Sequence, residues 1–286
     1  MDESFILSEF DRLQQSGLVL YDDKQRRIEY VEGGLKFQFC LTSALAKKPT
    51  LQTPDSGTDK RRDGSDISTV GFEISEIGNS HLLIANKFCW AKPHFLILTS
   101  DGYQRQYESL NEGDLQGIWS FLSTMSTDYV AFYNCGQDGG CSRLHKHMQL
   151  IPTPEGTFAS FLDSDGKEPE PPFPFQWFHH RFESEDITSQ QLTGIYKKLI
   201  KQATEIGGGL SEHAHNAPLG AACPHNLIMT KRWMIVVPRL RAAITQGVAA
   251  NAMGMLGYIA VATEDEVEKW IRTGPTYALR ELGVSR

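Results

Sequence analysis

The sequence of 286 residues predicts an α+β fold. From His81 to Ile151 the order of patterns is strand, strand, helix, strand, glycine-rich loop, strand, which forms one compact unit. Two S/T-x-x-E signatures, Ser109–Glu112 and Thr263–Glu266, stand where apolar residues begin to recur at helical spacing. No internal repeat is evident from the sequence, so the expectation is one interlocked domain over residues 1–286.

Phe5, Ile6, Phe10 and Leu13 are spaced for an N-terminal helix over 5–15 that stops near Gly17. Residues 35–41 alternate and read as a strand. Residues 47–68 are rich in Lys, Pro, Thr, Asp, Gly and Ser and read as a long loop. Strands follow at 81–86 and 95–99. Leu115, Ile118, Trp119, Leu122 and Met125 mark one face of a helix, and 129–134 is the next strand. The loop 136–140 leads into a strand over 144–151. The Pro-rich stretch 152–174 is irregular. Residues 176–182 suggest a strand and 187–206 a long helix stopped by Gly207, Gly208 and Gly209. Strands at 226–229 and 233–237 flank a turn at Thr230-Lys231-Arg232, and a last helix runs through Ile271.

Composition excludes several functional classes. A formal net charge of −7 argues against a duplex nucleic acid partner, which needs a broad cationic face. A small anionic ligand needs only a few cations in one cleft. The five cysteines are scattered and form no Cys-x-x-Cys pair, so neither a disulfide framework nor a structural zinc site is expected. The start is acidic, and neither a leader nor a membrane span is expected. The expected location is the cytoplasm or the nucleus.

The chemistry concentrates at His145-Lys146-His147-Met148-Gln149. On a strand, His145, His147 and Gln149 share one face, with about 7 Å between successive side chains. Neutral imidazole is a competent nucleophile near pH 7, and a glutamine can hydrogen-bond phosphate oxygens without acting as acid or base. The glycine loop ahead would let backbone N–H groups approach a phosphate. From spacing alone two histidines at i, i+2 often form only a polar strand face, and with no third ligand evident a metal ion is the least favoured reading.

The stretch Asn134-Cys135-Gly136, followed by residues 140–149, resembles the active-site segment of the histidine-triad superfamily. More narrowly it resembles the fungal diadenosine tetraphosphate phosphorylases, or ATP adenylyltransferases. The likeness extends to Lys47-Lys48-Pro49 with Gln52-Thr53-Pro54, Asn86-Lys87-Phe88, His225 through Trp233, Val236 through Arg239, residues 254–257, and Gly274-Pro275. It implies an antiparallel sheet flanked by helices, with His-x-His-x-Gln on a central strand. It also implies a triad core at about 70–152 and a C-terminal adenylyltransferase part at about 175–286.

The resemblance implies His147 as the nucleophile on an α-phosphate, with His145 supporting the strand. Gln149, in place of a third histidine, implies transfer over hydrolysis. Lys48, Asn86, Lys87, Asn134, Asn226 and Lys231 would contact the nucleotide, and Gly140, Cys141, Ser142 and Arg143 would cradle phosphate. The implied reaction is phosphorolysis of diadenosine tetraphosphate to ATP and ADP by a monomer. Magnesium would accompany the polyphosphate; no protein metal site, organic cofactor, nucleic acid or membrane partner is implied. Cys141 stands where some relatives have a second serine, Leu144 where an acidic residue often precedes the first histidine, and residues 211–223 look unlike the family. A hydrolase, an adenylyl transferase using another anion such as sulfate, and a weakly catalytic dinucleotide binder are the alternatives.

Overall fold

The computed structural model describes residues 2–48, 62–164, 167–184, 186–208 and 217–286. Eight antiparallel strands form the main sheet. They are β4 (Glu73–Ile77), β5 (His81–Ala85), β7 (Phe95–Thr99), β8 (Tyr129–Cys135), β9 (His147–Pro152), β10 (Phe178–Arg181), β11 (His225–Met229) and β12 (Trp233–Pro238). Their spatial order is β10-β12-β11-β8-β9-β7-β5-β4. A three-stranded sheet joins β2 (Arg26–Glu32) and β3 (Leu35–Leu41) to β15 (Tyr258–Val261), so early and late segments share one layer. Two short pairs complete the strands: β1 (Leu20–Tyr21) with β6 (Phe88–Cys89), and β13 (Ala243–Thr245) with β14 (Val248–Ala249).

Alternation along the strands builds a core on each face of the main sheet. On β8, Ala131 and Tyr133 face helices α1 (Glu3–Gln15), α2 (Glu112–Thr124) and α3 (Ser189–Ala203), meeting Phe10, Phe121 and Leu192. Val130 and Phe132 face the opposite layer. There Phe37, Phe39, Trp90 and Trp270 pack with α4 (Ala252–Met255), α5 (Glu264–Thr273) and α6 (Pro275–Leu282).

Local signals mostly hold, with shifts that have physical reasons. The cap of α2 is not Ser109 but Asn111, whose side chain accepts from Asp114 N while Asp114 accepts from Asn111 N. Asn ranks among the strongest caps. A second complete capping box, Thr188 with Gln191, opens α3. The strand expected from residue 144 begins at His147, because His145 makes only an isolated bridge to Arg105. Of the loop expected over 47–68, residues 49–61 lie outside the described residues, as do Gly209 and residues 211–216 of the unusual late segment.

The topology contains a repeat that the sequence does not show. The unit β7-α2-β8-β9 recurs as β10-α3-β11-β12, and the two copies meet at the β8–β11 pair. Phe95 faces Leu150 and Tyr129 faces Pro152 in the first unit; Phe178 faces Val236 and His225 faces Pro238 in the second. Matching these registers lays His-Met-Gln-Leu-Ile-Pro of β9 on Trp-Met-Ile-Val-Val-Pro of β12. Trp233 then occupies the place of His147, and Ile235 that of Gln149. Of the two matched strands, only β9 carries a histidine and a glutamine at these positions.

Lys146, between the two histidines, points to the helical face and is almost wholly buried. Its ammonium lies 3.3 Å from Glu108 and 3.5 Å from Asp114 and donates to the carbonyl of Ser109. Asp114 also meets His81 Nε2 at 2.8 Å. These bonds tie the segment entering β9 to the start of α2. Removing one member of a buried ion pair leaves the other uncompensated, at a cost of about 3–5 kcal/mol. Lys146→Ala is therefore expected to destabilise by about that much in urea unfolding, and Lys146→Asn no less. A wild-type midpoint for Lys146→Ala would rule out the anchoring role.

Candidate active site

His147 opens β9 with its ring on the face opposite the helices. Its Nδ1–H donates to the carbonyl of His145 at 2.8 Å. That bond leaves Nε2 as the unprotonated nitrogen of a ring that lines a cavity. Burial lowers the pKa of His147 to about 4, opposed by the bond to His145, so the ring is neutral at pH 7. The backbone is held just as firmly. Gln106 Oε1 accepts from His147 N at 2.7 Å, and Gln106 Nε2 donates to the carbonyls of His147 and Asn134. Asp66 accepts from the N–H groups of Leu144 and His145 at 2.7 and 2.9 Å. The irregular approach to β9 thus exchanges ladder bonds for side-chain bonds from distant segments.

His145 is fully buried away from the cavity. Ser65 Oγ lies 2.8 Å from its Nδ1, and its Nε2 lies 3.0 Å from both the carbonyl and the hydroxyl of Thr99. Its carbonyl, more than its ring, serves the site.

Seven expected residues come together around one cavity of about 130 Å³: Lys48, Asn86, Lys87, Ser142, Arg143, His147 and Gln149. Asp66, Phe72, Phe88 and Leu96 complete much of its wall. An open cavity of about 870 Å³ adjoins it, sharing Lys48 and Ser142 and adding Trp90, Gly140, Cys141 and Asn251. The narrow cavity alone is below the roughly 300–1,000 Å³ of small-molecule sites, whereas the two together reach that size. Lys48 is accessible to solvent, yet protein surrounds it where the cavities meet. Lost hydration, and then Arg143, lower its pKa to about 8.

Other expectations are corrected. Asn134 and Asn226 do not line either cavity. Asn226 Nδ2 donates to Asn134 Oδ1 and to the carbonyl of Gly139, and Asn134 Oδ1 also accepts from Ala252 N. Buried Arg239 donates to Asn226 Oδ1 at 2.6 Å and to the carbonyls of Leu282, Arg241 and Ala250. These residues fasten the glycine loop to the C-terminal layer. Lys231 is remote, donating to the carbonyl of Met125 at the end of α2. The N–H of Gly140 goes to Gln137 O and that of Cys141 to Gly136 O, so neither is free for phosphate. The positive φ of Gly140 instead serves packing, since a Cβ there would lie 2.9 Å from the carbonyl of Ala250. Burial raises the thiol of Cys141 to about 12, so it is neutral.

Sequence reasoning missed Asp66, Gln106, Arg239 and His94. His94 is fully buried, with Nε2 3.2 Å from Gln149 Oε1. Its only sequence signal is a histidine directly after Lys92-Pro93 at the head of an apolar strand. Among the described residues, no three His, Cys, Asp or Glu side chains gather to hold a metal ion, and the Asp66 carboxylate is engaged by two N–H groups.

A neutral imidazole facing a lysine, an arginine and an amide, on a mixed α+β scaffold with an antiparallel sheet, defines the class: a nucleotidyltransferase-type enzyme. Residues 17–161 match the Ap4A phosphorylase N-terminal domain, and residues 171–285 the ATP adenylyltransferase C-terminal domain. Protein APA1 of Saccharomyces cerevisiae is 30% identical over 258 residues, covering 82% of this chain and 78% of that protein. Diadenosine 5',5'''-P1,P4-tetraphosphate phosphorylase 2 of the same yeast is 27% identical over 260 residues, covering 81% and 78%. The crystal structure of yeast Ap4A phosphorylase Apa2 in complex with Ap4A superposes with a TM-score of 0.76 at 21% identity, covering 100% of this chain and 98% of that one. The chain belongs to the Ap4A phosphorylase family.

Burial holds three histidines neutral, with His94 at about 3 and His147 and His225 at about 4. All lie below the roughly 6.5 of an exposed histidine, so the unfolded chain takes up protons first. This contribution is fully present above pH 6.5 and is lost as pH falls toward 4, at about 1.4 kcal/mol per pH unit for each ring. Denaturant unfolding at pH 5.0 is expected to give a stability lower than at pH 7.5 by several kcal/mol. Equal stability at both values would contradict the neutral assignments.

Proposed function

We propose that this chain cleaves diadenosine tetraphosphate by phosphorolysis to ATP and ADP, through an adenylyl group carried on His147 Nε2. The observation that carries the mechanism is the Nδ1–H bond to His145, which leaves Nε2 unprotonated on a ring that lines the cation-bearing cavity. Family membership supports the substrate class, and the Apa2 relative was crystallised with Ap4A and with AMP. The first unit of the sheet, with β4 and β5, reads as a histidine-triad core.

In the first step Nε2 attacks the α-phosphorus. The N–P bond forms as the P–O bond to the departing ATP breaks. The substituted ring is positive while Nδ1–H keeps its acceptor, so the His145 carbonyl stabilises that charge throughout. In the second step an oxygen of inorganic phosphate attacks the same phosphorus. The N–P bond breaks, its electron pair returns to Nε2, and ADP leaves. Lys48, Arg143 and Lys87 offset the negative charge of the phosphates, and Gln149 hydrogen-bonds their oxygens. A divalent ion would enter on the polyphosphate oxygens and offset their charge.

Product analysis with and without phosphate tests this reading. ATP plus ADP, with ADP strictly dependent on phosphate, is the expected result. AMP formed without regard to phosphate identifies a hydrolase, and tight binding without turnover identifies a binding protein. His147→Ala is expected to abolish both turnover and covalent labelling by an adenylyl donor; labelling that persists would place the nucleophile elsewhere. With Lys48 near 8, affinity for the polyphosphate is expected to fall as pH rises through 8, a loss that Lys48→Arg removes. An unchanged pH profile in Lys48→Arg would assign that loss to another group.

A further inference from the structure

Gln149 is an amide beside the nucleophile, and an amide can face a cavity in two ways. With Nε2–H2 inward it offers donors. With Oε1 inward it offers an acceptor. A phosphate acceptor is an anion and needs donors, whereas a water acceptor must give up a proton and is oriented by a carbonyl. The direction of this one side chain therefore bears on which molecule takes the adenylyl group.

A chain of hydrogen bonds with one direction sets it. The N–H of Phe88 donates to Asn86 Oδ1 at 3.3 Å, which turns Asn86 Nδ2 toward His94. Asn86 Nδ2 lies 3.2 and 3.1 Å from the two ring nitrogens of His94. A point so nearly equidistant from both sits over the ring face, because an in-plane approach between them would strike the intervening carbon. The donor thus meets the π-cloud and leaves the in-plane edge of Nε2 to Gln149 Oε1 at 3.2 Å, an acceptor that Nε2 can bind only when it is the nitrogen that carries the proton. The His94 ring is also wedged edge-on against Trp90, with centroids 5.3 Å apart. It is held neutral, so it has a single proton to place.

We propose that His94 is a positioning residue that selects the acceptor: by binding Gln149 Oε1 it turns the amide Nε2–H2 into the cavity beside His147, so the site presents donors to phosphate and no carbonyl to orient water. The proposal rests on the phosphorolytic reading above. With phosphate, the Nε2–P bond of His147 is replaced by a phosphate O–P bond and the electron pair returns to the ring. With water, the same exchange gives AMP and releases a proton.

Two measurements test it. Side-chain ¹⁵N NMR of the whole chain without substrate reports the tautomer: His94 is expected as neutral Nε2–H from pH 5 to 8, and an Nδ1–H tautomer overturns the proposal whatever the enzyme does. The second readout is the ratio of ADP to AMP at fixed, subsaturating phosphate. His94→Phe keeps the ring but removes the donor. It is expected to lower the ratio about tenfold and to raise KM for phosphate. His94→Gln returns an N–H near the position of Nε2 and is expected to restore most of the ratio. A ratio unchanged in His94→Phe, or a drop that His94→Gln leaves in place, overturns the proposal. If His94→Phe does not fold, the His94→Gln ratio and the tautomer decide. Wild-type protein that releases only AMP, with or without phosphate, sinks the phosphorolytic reading and the acceptor role with it; the tautomer then still judges the hydrogen-bond chain separately.

Discussion

One hydrogen bond, from His147 Nδ1–H to the carbonyl two residues before it, is the constraint around which the site is arranged. In a regular strand that carbonyl would belong to the ladder. Here the ladder is interrupted at His145, and the carbonyl is available because other groups hold the backbone. Gln106 brackets His147 from one side, Asp66 grips Leu144 and His145 from another, and Ser65 and Thr99 fix the His145 ring. The interruption gives His147 a fixed tautomer. The cost is several buried polar groups, and each named here has a partner.

Behind the strand, the Lys146 network ties β9 to α2. Beyond the glycine loop, Arg239 performs a similar task without a carboxylate in contact. Its guanidinium spends its donors on three carbonyls and one amide oxygen, and burial lowers its pKa to about 9. A buried cation satisfied by backbone oxygens welds irregular segments, because its planar fork matches several fixed acceptors at once. The loop that places Ser142 and Arg143 at the cavity is held by its underside.

Much of this was legible in the sequence. Period-two alternation placed His147 and Gln149 on one face, and the family motifs supplied Lys48, Asn86, Lys87, Ser142 and Arg143. The same motifs pointed to Asn134, Asn226 and Lys231, which line neither cavity, since a motif does not say whether a polar residue faces a cavity or holds the loop beneath one. Asp66, Gln106 and His94 were hidden for another reason. Each acts on β9 from a separate segment, and nothing in a local pattern reveals a partner across the fold. The duplicated unit escaped notice because only its apolar spacing persists: Met148 and Met234 match, and Pro152 and Pro238 match, whereas Trp233 stands in the place of His147.

The antiparallel order of the main sheet also bears on solubility. With β9 near the middle, the sheet ends at β4 and β10, several strands from His147. A strand at a sheet's end offers unpaired backbone groups to any other chain that can add to it. Both ends here carry ionisable side chains: Glu73 and Glu76 on β4, and His179, His180 and Arg181 on β10. β4 also bears a bulge between Glu73 and Ser75. Charge at both margins, with the bulge at β4, makes each a poor template for a ninth strand, so the wide sheet that centres His147 is guarded where it stops.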